Sequence, residues 1–166
     1  MIFWLMPIIV AVFWAGMNSL AQYQSAQNAP PTTQTAAQSQ AASFVGYRNA
    51  VGSYVAANPA FTGSVPTSSL APWLAPGQSL PNGAGNQVAA TPSGNGRIIY
   101  SWAQTFPLQG ANPGVTNAAA QLTGGDASIG LVAGTQWVSP IYGVQALTVP
   151  AFVPDGDILS VVQTGS

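Results

Sequence analysis

The run MIFWLMPIIVAVFWAGMNSLA, Met1 to Ala21, constrains this chain more than any other stretch. From Met1 to Met17 no side chain is charged or strongly polar, and Asn18 and Ser19 are the first polar residues. As a helix rising ~1.5 Å per residue, about 20 residues cover the ~30 Å hydrocarbon core of a bilayer. Pro7 lies near the start, where a missing N–H and a fixed φ disturb a helix least. Trp4 and Trp14 suit the two membrane interfaces. The expectation is a transmembrane anchor that meets membrane lipid through residues 1–21.

Two other readings compete for the same residues. A secretory signal needs a basic n-region, which is absent, although Ser19-Leu20-Ala21 offers a small-residue cleavage site. A type IV prepilin would carry a short basic leader ending in Gly, then an apolar helix with an early Glu. Glu occurs nowhere in this chain. The uncleaved anchor is therefore preferred. No Lys or Arg lies close to either end of the run to set its orientation. A free amino terminus on one side and a large polar domain on the other favour amino end in, domain out.

The residues after the anchor suffice for one domain with a real core. Only 3% of the 166 residues are charged: Arg48, Arg97, Asp126, Asp155 and Asp157, for a net charge of −1. That balance excludes the basic footprint of a nucleic-acid binder. A neutral surface rich in Gly, Ser, Thr and Asn suits an exported or assembled protein, or one covered by partners. The absence of cysteine removes disulfides and thiolate metal sites.

Catalysis needs groups that titrate or coordinate near neutral pH, and the chain has no His, Cys, Lys or Glu. No serine can therefore belong to a hydrolytic triad or a Ser-Lys dyad. Asp155 and Asp157 share one tight turn instead of flanking a cleft, and a calcium loop would need more oxygens and a distal Glu. The expected role of Asp155-Gly156-Asp157 is an Asx turn in which Asp155 bonds its own backbone. The reading is of a non-enzyme, with no catalytic, cofactor-binding or metal-binding residue and no cofactor. The partner-binding face stays unassigned; Trp73 and Tyr142 are aromatics that could stack on sugars if exposed.

Along the chain, Gln22 to Ala42 is rich in Ala and Gln around Pro30-Pro31, and reads as an extended tether with short helical pieces after Thr33. Ser43 to Pro59 is amphipathic. Phe44, Tyr47, Val51, Tyr54 and Val55 share one helical face, Ser43 is a candidate N-cap and Asn58-Pro59 a stop. That face is expected to pack on a sheet, with a partner-binding groove helix as the alternative. Phe61 to Gly77 is loop with apolar plugs, and Gly83 to Gly96 a flexible polar connection.

Arg97 to Phe106 alternates as a strand, with Ile98, Tyr100, Trp102 and Phe106 on one face and Ile99, Ser101, Ala103 and Thr105 on the other. Asn112 would cap a short helix from Pro113 to Leu122, ended by Gly124-Gly125. Ser128 to Ser139 is expected as a strand with Ile129, Leu131 and Trp137 on one face. Val144 to Val149 and Ile158 to Gln163 follow as further strands. The fold class is α+β: one N-terminal transmembrane helix, then an antiparallel meander of three to four strands packed by one main helix. The organisation is an anchor at 1–21, a Pro/Gln/Ala-rich tether at 22–42 and an α+β domain at 43–166.

The segment FVGYRNAVGSYVAANPAFTGSVP, behind an apolar run and a tether, resembles the short PilM family of type IV pilus biogenesis, found in the pil clusters of conjugative thin-pilus systems. The matching residues are Tyr47 to Val51, then Asn58-Pro59, Phe61-Thr62-Gly63 and Val65-Pro66. The match covers about 23 residues, and the carboxyl-terminal half agrees in its Gly/Ser/Thr-rich strands. The longer actin-like protein that shares the name needs nucleotide-binding loops that this chain lacks. The resemblance implies a component of pilus biogenesis in the bacterial inner membrane, single pass, with its carboxyl-terminal domain in the periplasm. Other pilus assembly proteins or pilins would be its partners, and a homo-oligomer is open. A pilin-like filament subunit, and an exported carbohydrate-binding or adhesive domain with a cleaved signal, are the alternatives.

Overall fold

The computed structural model describes residues 31–92, 94, 96–105 and 113–165. The expected anchor Met1 to Ala21, residues 22–30 of the tether, Phe106 and Asn112 lie outside the described residues. Among the described residues no helix is long and apolar enough to cross a membrane. The chain divides into two compact units, Met1–Thr35 and Ala36–Ser166. The described part of the first is its last few residues, which open a helix. The second holds the sheet and the core.

That helix, α1, runs over Pro31–Ala57, so it starts well before the expected Ser43. Pro31 stands at its first turn, where a proline lacks nothing the helix would use, and Ala and Gln propagate it. Ala37 and Ala41 carry the apolar stripe of Phe44, Tyr47, Val51 and Val55 backwards by two turns, and all are buried. Residues 31–42 are thus helix instead of extended tether. Ser43 is no cap; its Oγ donates to Ser79 O at 2.8 Å. A short helix α2 (Thr67–Leu70) and a 3-10 turn (Ala71–Trp73) follow, and α3 spans Pro113–Leu122.

Among the described residues the sheet has six strands instead of the expected three to four: β1 (Gly85–Ala90), β2 (Arg97–Ala103), β3 (Ile129–Ala133), β4 (Gln136–Ser139), β5 (Gly143–Val144) and β6 (Ile158–Thr164). Their spatial order is β1-β2-β6-β3-β4-β5, with every neighbouring pair antiparallel. This is no simple meander, because the last strand is inserted between β2 and β3. β6 suits that central place because it is apolar towards both faces, through Ile158 and Val162 on one side and Leu159 and Val161 on the other.

Three departures account for the extra strands. β1 lies inside the stretch expected to be a flexible connection. The stretch expected as one strand from Ser128 to Ser139 reverses at Gly134-Thr135 into β3 and β4, which pair Val132 opposite Trp137. That reversal puts Ile129 and Trp137 on opposite faces of the sheet, not on one. The expected strand Val144 to Val149 pairs in ladder only at Gly143–Val144. Beyond it, Gln145 N–H donates to Trp137 O at 3.0 Å and Val149 N–H to Thr135 O at 2.9 Å.

The helix side of β2 is its small side. Ile99 and Ala103 join Phe44, Val51 and Val55 in the core beneath α1, together with Val115 and Ala119 of α3. The aromatic side of β2, with Tyr100 and Trp102, faces away from α1. There Val149 and Val153 cover Tyr100, Leu159, Val132 and Trp137.

Candidate interaction surface

The amphipathic face of α1 is consumed by the domain itself. Phe44 is 1% exposed, and Tyr47, Val51 and Val55 are equally buried. The groove-helix alternative therefore has no free face to use.

The residues around it form a tied corner. Buried Asn86 on β1 accepts from Val65 N–H at 2.7 Å and donates to Val65 O at 3.1 Å and to the Tyr47 hydroxyl at 2.8 Å. Its side-chain amide thus takes the place of a neighbouring strand. One step on, Gly63 exchanges backbone hydrogen bonds with Val88, both at 2.9 Å. Gly63 holds φ near 104°, a region that L side chains rarely adopt. At the carboxyl end of α1, Asn58 Nδ2 donates to Tyr54 O at 2.8 Å. Arg97 donates to Val55 O at 3.2 Å and Asn58 O at 3.0 Å, placing a cation where the helix dipole is negative. Tyr54 and Phe61 close the corner edge to face, with ring centroids 5.3 Å apart.

The other charges are equally local. Arg48 pairs with Asp126 across to the loop after α3. Burial pushes the Asp126 carboxyl up, but hydrogen bonds from Ser128 and Arg48 more than reverse this and hold it below the usual carboxylate range. Asp155 accepts from Gly134 N–H at 2.7 Å, so it caps the β3–β4 turn instead of making the expected local Asx turn. Asp157 is 5% exposed, and burial pushes its carboxyl up to about 6. The two carboxylates that sequence placed in one turn therefore have separate structural settings. Among the described residues no three His, Cys, Asp or Glu side chains gather to hold a metal ion.

One cluster of exposed side chains is apolar. Ile141, Tyr142, Val144 and Leu147 stand out from the turn between β4 and β5 and the segment after it, with Tyr142 59% and Val144 58% exposed. The Ile141 side chain lies against Gly125, just past exposed Leu122 at the end of α3. At this apolar end the exposed side chains Leu122, Ile141, Tyr142, Val144 and Leu147 are all uncharged, which is the composition of a surface that meets protein more than water. Sequence singled out Tyr142 here but missed its neighbours, because the loop after α3 and the β4–β5 turn meet only in the fold. Trp73, also exposed, belongs to the 3-10 turn. Elsewhere, a groove of about 410 Å³ opens between α1 and strands β2 and β6, with Ile99, Ser101 and Val162 along it.

The PilM family model matches residues 9–161, nearly the whole chain. The chain belongs to the PilM family. A crystal structure of a protein provisionally named PilM, from Escherichia coli B7A, has the same fold, with a TM-score of 0.53 at 21% identity. The similarity covers 78% of this chain and 94% of that one. No curated protein matches the chain. For this PilM-family domain the residues that carried the resemblance are the tied corner itself: Tyr47, Asn58, Phe61, Gly63 and Val65 all make its contacts. They build the fold.

Proposed function

We propose that this PilM-family chain is a non-enzymatic, membrane-anchored component of type IV pilus biogenesis that acts through protein–protein contacts. The family match over residues 9–161 carries this reading. Three further features support it. Residues 1–21 form an uncharged apolar run of membrane-spanning length. A chain without His, Cys, Lys or Glu has few groups for acid–base or nucleophilic work. The apolar end around Tyr142 and Val144 offers a contact surface. On this reading the domain lies in the periplasm, held by residues 1–21 in the inner membrane, with other pilus assembly proteins or pilins as partners.

Membrane fractionation of the native host tests the anchoring. The full-length chain is expected in the pellet after carbonate extraction. A soluble product beginning near Gln22 would make residues 1–21 a cleaved signal. Deletion of the gene is expected to abolish or reduce pili; unchanged piliation would remove the pilus role.

A further inference from the structure

Among the described residues, the aromatic side of the sheet is covered not by a helix but by a single crossing of chain, residues 149–157. Few bonds to the other described residues hold it. Val149 N–H reaches Thr135 O, Gly156 N–H reaches Val132 O at 3.1 Å, and Thr105 Oγ1 donates to Gly156 O at 2.9 Å. Val132 N–H returns a bond to Asp157 O at 2.9 Å, and Asp155 takes Gly134 N–H. Val149 and Val153 are buried beneath this crossing, while Phe152 rides half exposed. Its ring stands edge-on to Tyr100, 5.7 Å between centroids, and 5.5 Å from Trp102.

Asp157 sits where the crossing joins β6. Its Oδ2 has no hydrogen-bond partner among the described residues. In register it stands opposite Val132, which in turn stands opposite Trp137, whose buried Nε1 also lacks a partner among them. Among the described residues no cationic side chain pairs with this carboxylate. The sequence has two, Arg48 and Arg97, bound on the helix side to Asp126 and to the end of α1. Among the described residues, the titratable groups on its own side are Asp155, in the same turn, and the buried Tyr100. Tyr47 and Tyr54 lie on the helix side, and Tyr142 is exposed at the apolar end.

We propose that residues 149–157 are a pH-dependent strap, closed over the aromatic side of the sheet when Asp157 is neutral and loosened when Asp157 is ionised. A buried carboxylate with an unfilled acceptor is penalised in the closed state and relieved when the strap lifts into water. Lifting it uncovers Tyr100, Trp102 and Leu159, an uncharged apolar face. The direction is fixed by the raised carboxyl, near 6 when closed and ordinary when open. Closure is therefore favoured at low pH and weakens as pH rises through that value, by up to about tenfold per pH unit between the two values.

Hydrogen exchange on the full-length protein in detergent tests this. After correction for intrinsic exchange, strap amides, Val149 and Gly156 above all, are expected to exchange about tenfold faster near pH 8 than near pH 5. Amides of β2 should keep their protection over the same range. Asp157→Asn should remove the difference, and Asp155→Asn, which keeps an acceptor for Gly134, should retain it. Equal strap protection at both pH values in the wild-type chain overturns the proposal, whether or not the Asp157→Asn variant folds. A response that survives Asp157→Asn, or that disappears with Asp155→Asn, overturns it as well.

Discussion

Asn86 shows how one polar side chain can hold a corner that no strand completes. Its amide serves both backbone groups of Val65 and the Tyr47 hydroxyl, all out of water. Asn86→Ala would leave those partners unpaired and is expected to cost about 3 kcal/mol. Tyr47→Phe removes one bond and should cost about 1 kcal/mol. Urea unfolding followed by circular dichroism separates the two; equal losses would mean that Asn86 acts through packing alone. Phe44→Ala, in the buried stripe of α1, should cost about 3–5 kcal/mol. Two aspartates pull the pH dependence in opposite directions. Asp126, held low, stabilises the fold above the ordinary carboxyl pKa and loses that contribution as pH falls through its own lower value. Asp157, raised to about 6, binds its proton more readily folded than unfolded. It costs stability above that value, on the order of 3 kcal/mol, and the cost disappears as pH falls towards the ordinary carboxyl value. Thermal melts are therefore expected to peak at roughly pH 4–5. A melting temperature that rises steadily to neutral pH would contradict the Asp157 assignment.

At the scale of elements, the tied corner depends on a backbone that bends back on β1. Gly63 pairs with Val88 while holding its positive φ. A Cβ there would meet nothing within 4 Å, so Gly63→Ala tests conformation and not space. The substitution should lower stability by about 1–2 kcal/mol through strain at that φ. An unchanged melt would show that the turn relaxes freely. The same elements show what sequence can carry. β2 was legible because Ile98, Tyr100 and Trp102 alternate against Ile99, Ser101 and Ala103, and both faces are used. β1 was not, because GNQVAA offers one large apolar residue, and its strand character comes from β2 and the Asn86 bonds. The early turns of α1 were hidden for a related reason. Ala37 and Ala41 bury little area each, yet their smallness suits them to the close core shared with Val115 and Ala119. The β3–β4 reversal turned on one glycine in a stretch that alternates well enough to pass as a single strand. Of the candidate surface, the shortage of chemistry was plain from residue types alone. Its location was not, because contact between Ile141 and the loop after α3 is a product of folding.

For the whole molecule, the question is whether residues 1–21 serve as a tether or as part of a fibre. A filament subunit needs its own apolar helix to pack against those of its neighbours, so the sequence of residues 1–21 would matter. An assembly factor needs only to be held on the right side of the membrane. A chimera carrying residues 22–166 behind an unrelated membrane helix is therefore expected to restore pili to a deletion strain. Adding Tyr142→Asp and Val144→Asp to that chimera places two charges on the apolar end without touching the core. Because both side chains are more than half exposed, the melt of the variant should move little, within about 0.5 kcal/mol. Piliation should nevertheless fall, since a desolvated carboxylate in a protein contact has no partner here to compensate it. If the charged variant assembles pili normally, the contact surface lies elsewhere, and the groove between α1 and β6 becomes the next place to look. If the chimera fails although stable and correctly located, and the native protein is found in sheared pili, the chain is a structural subunit.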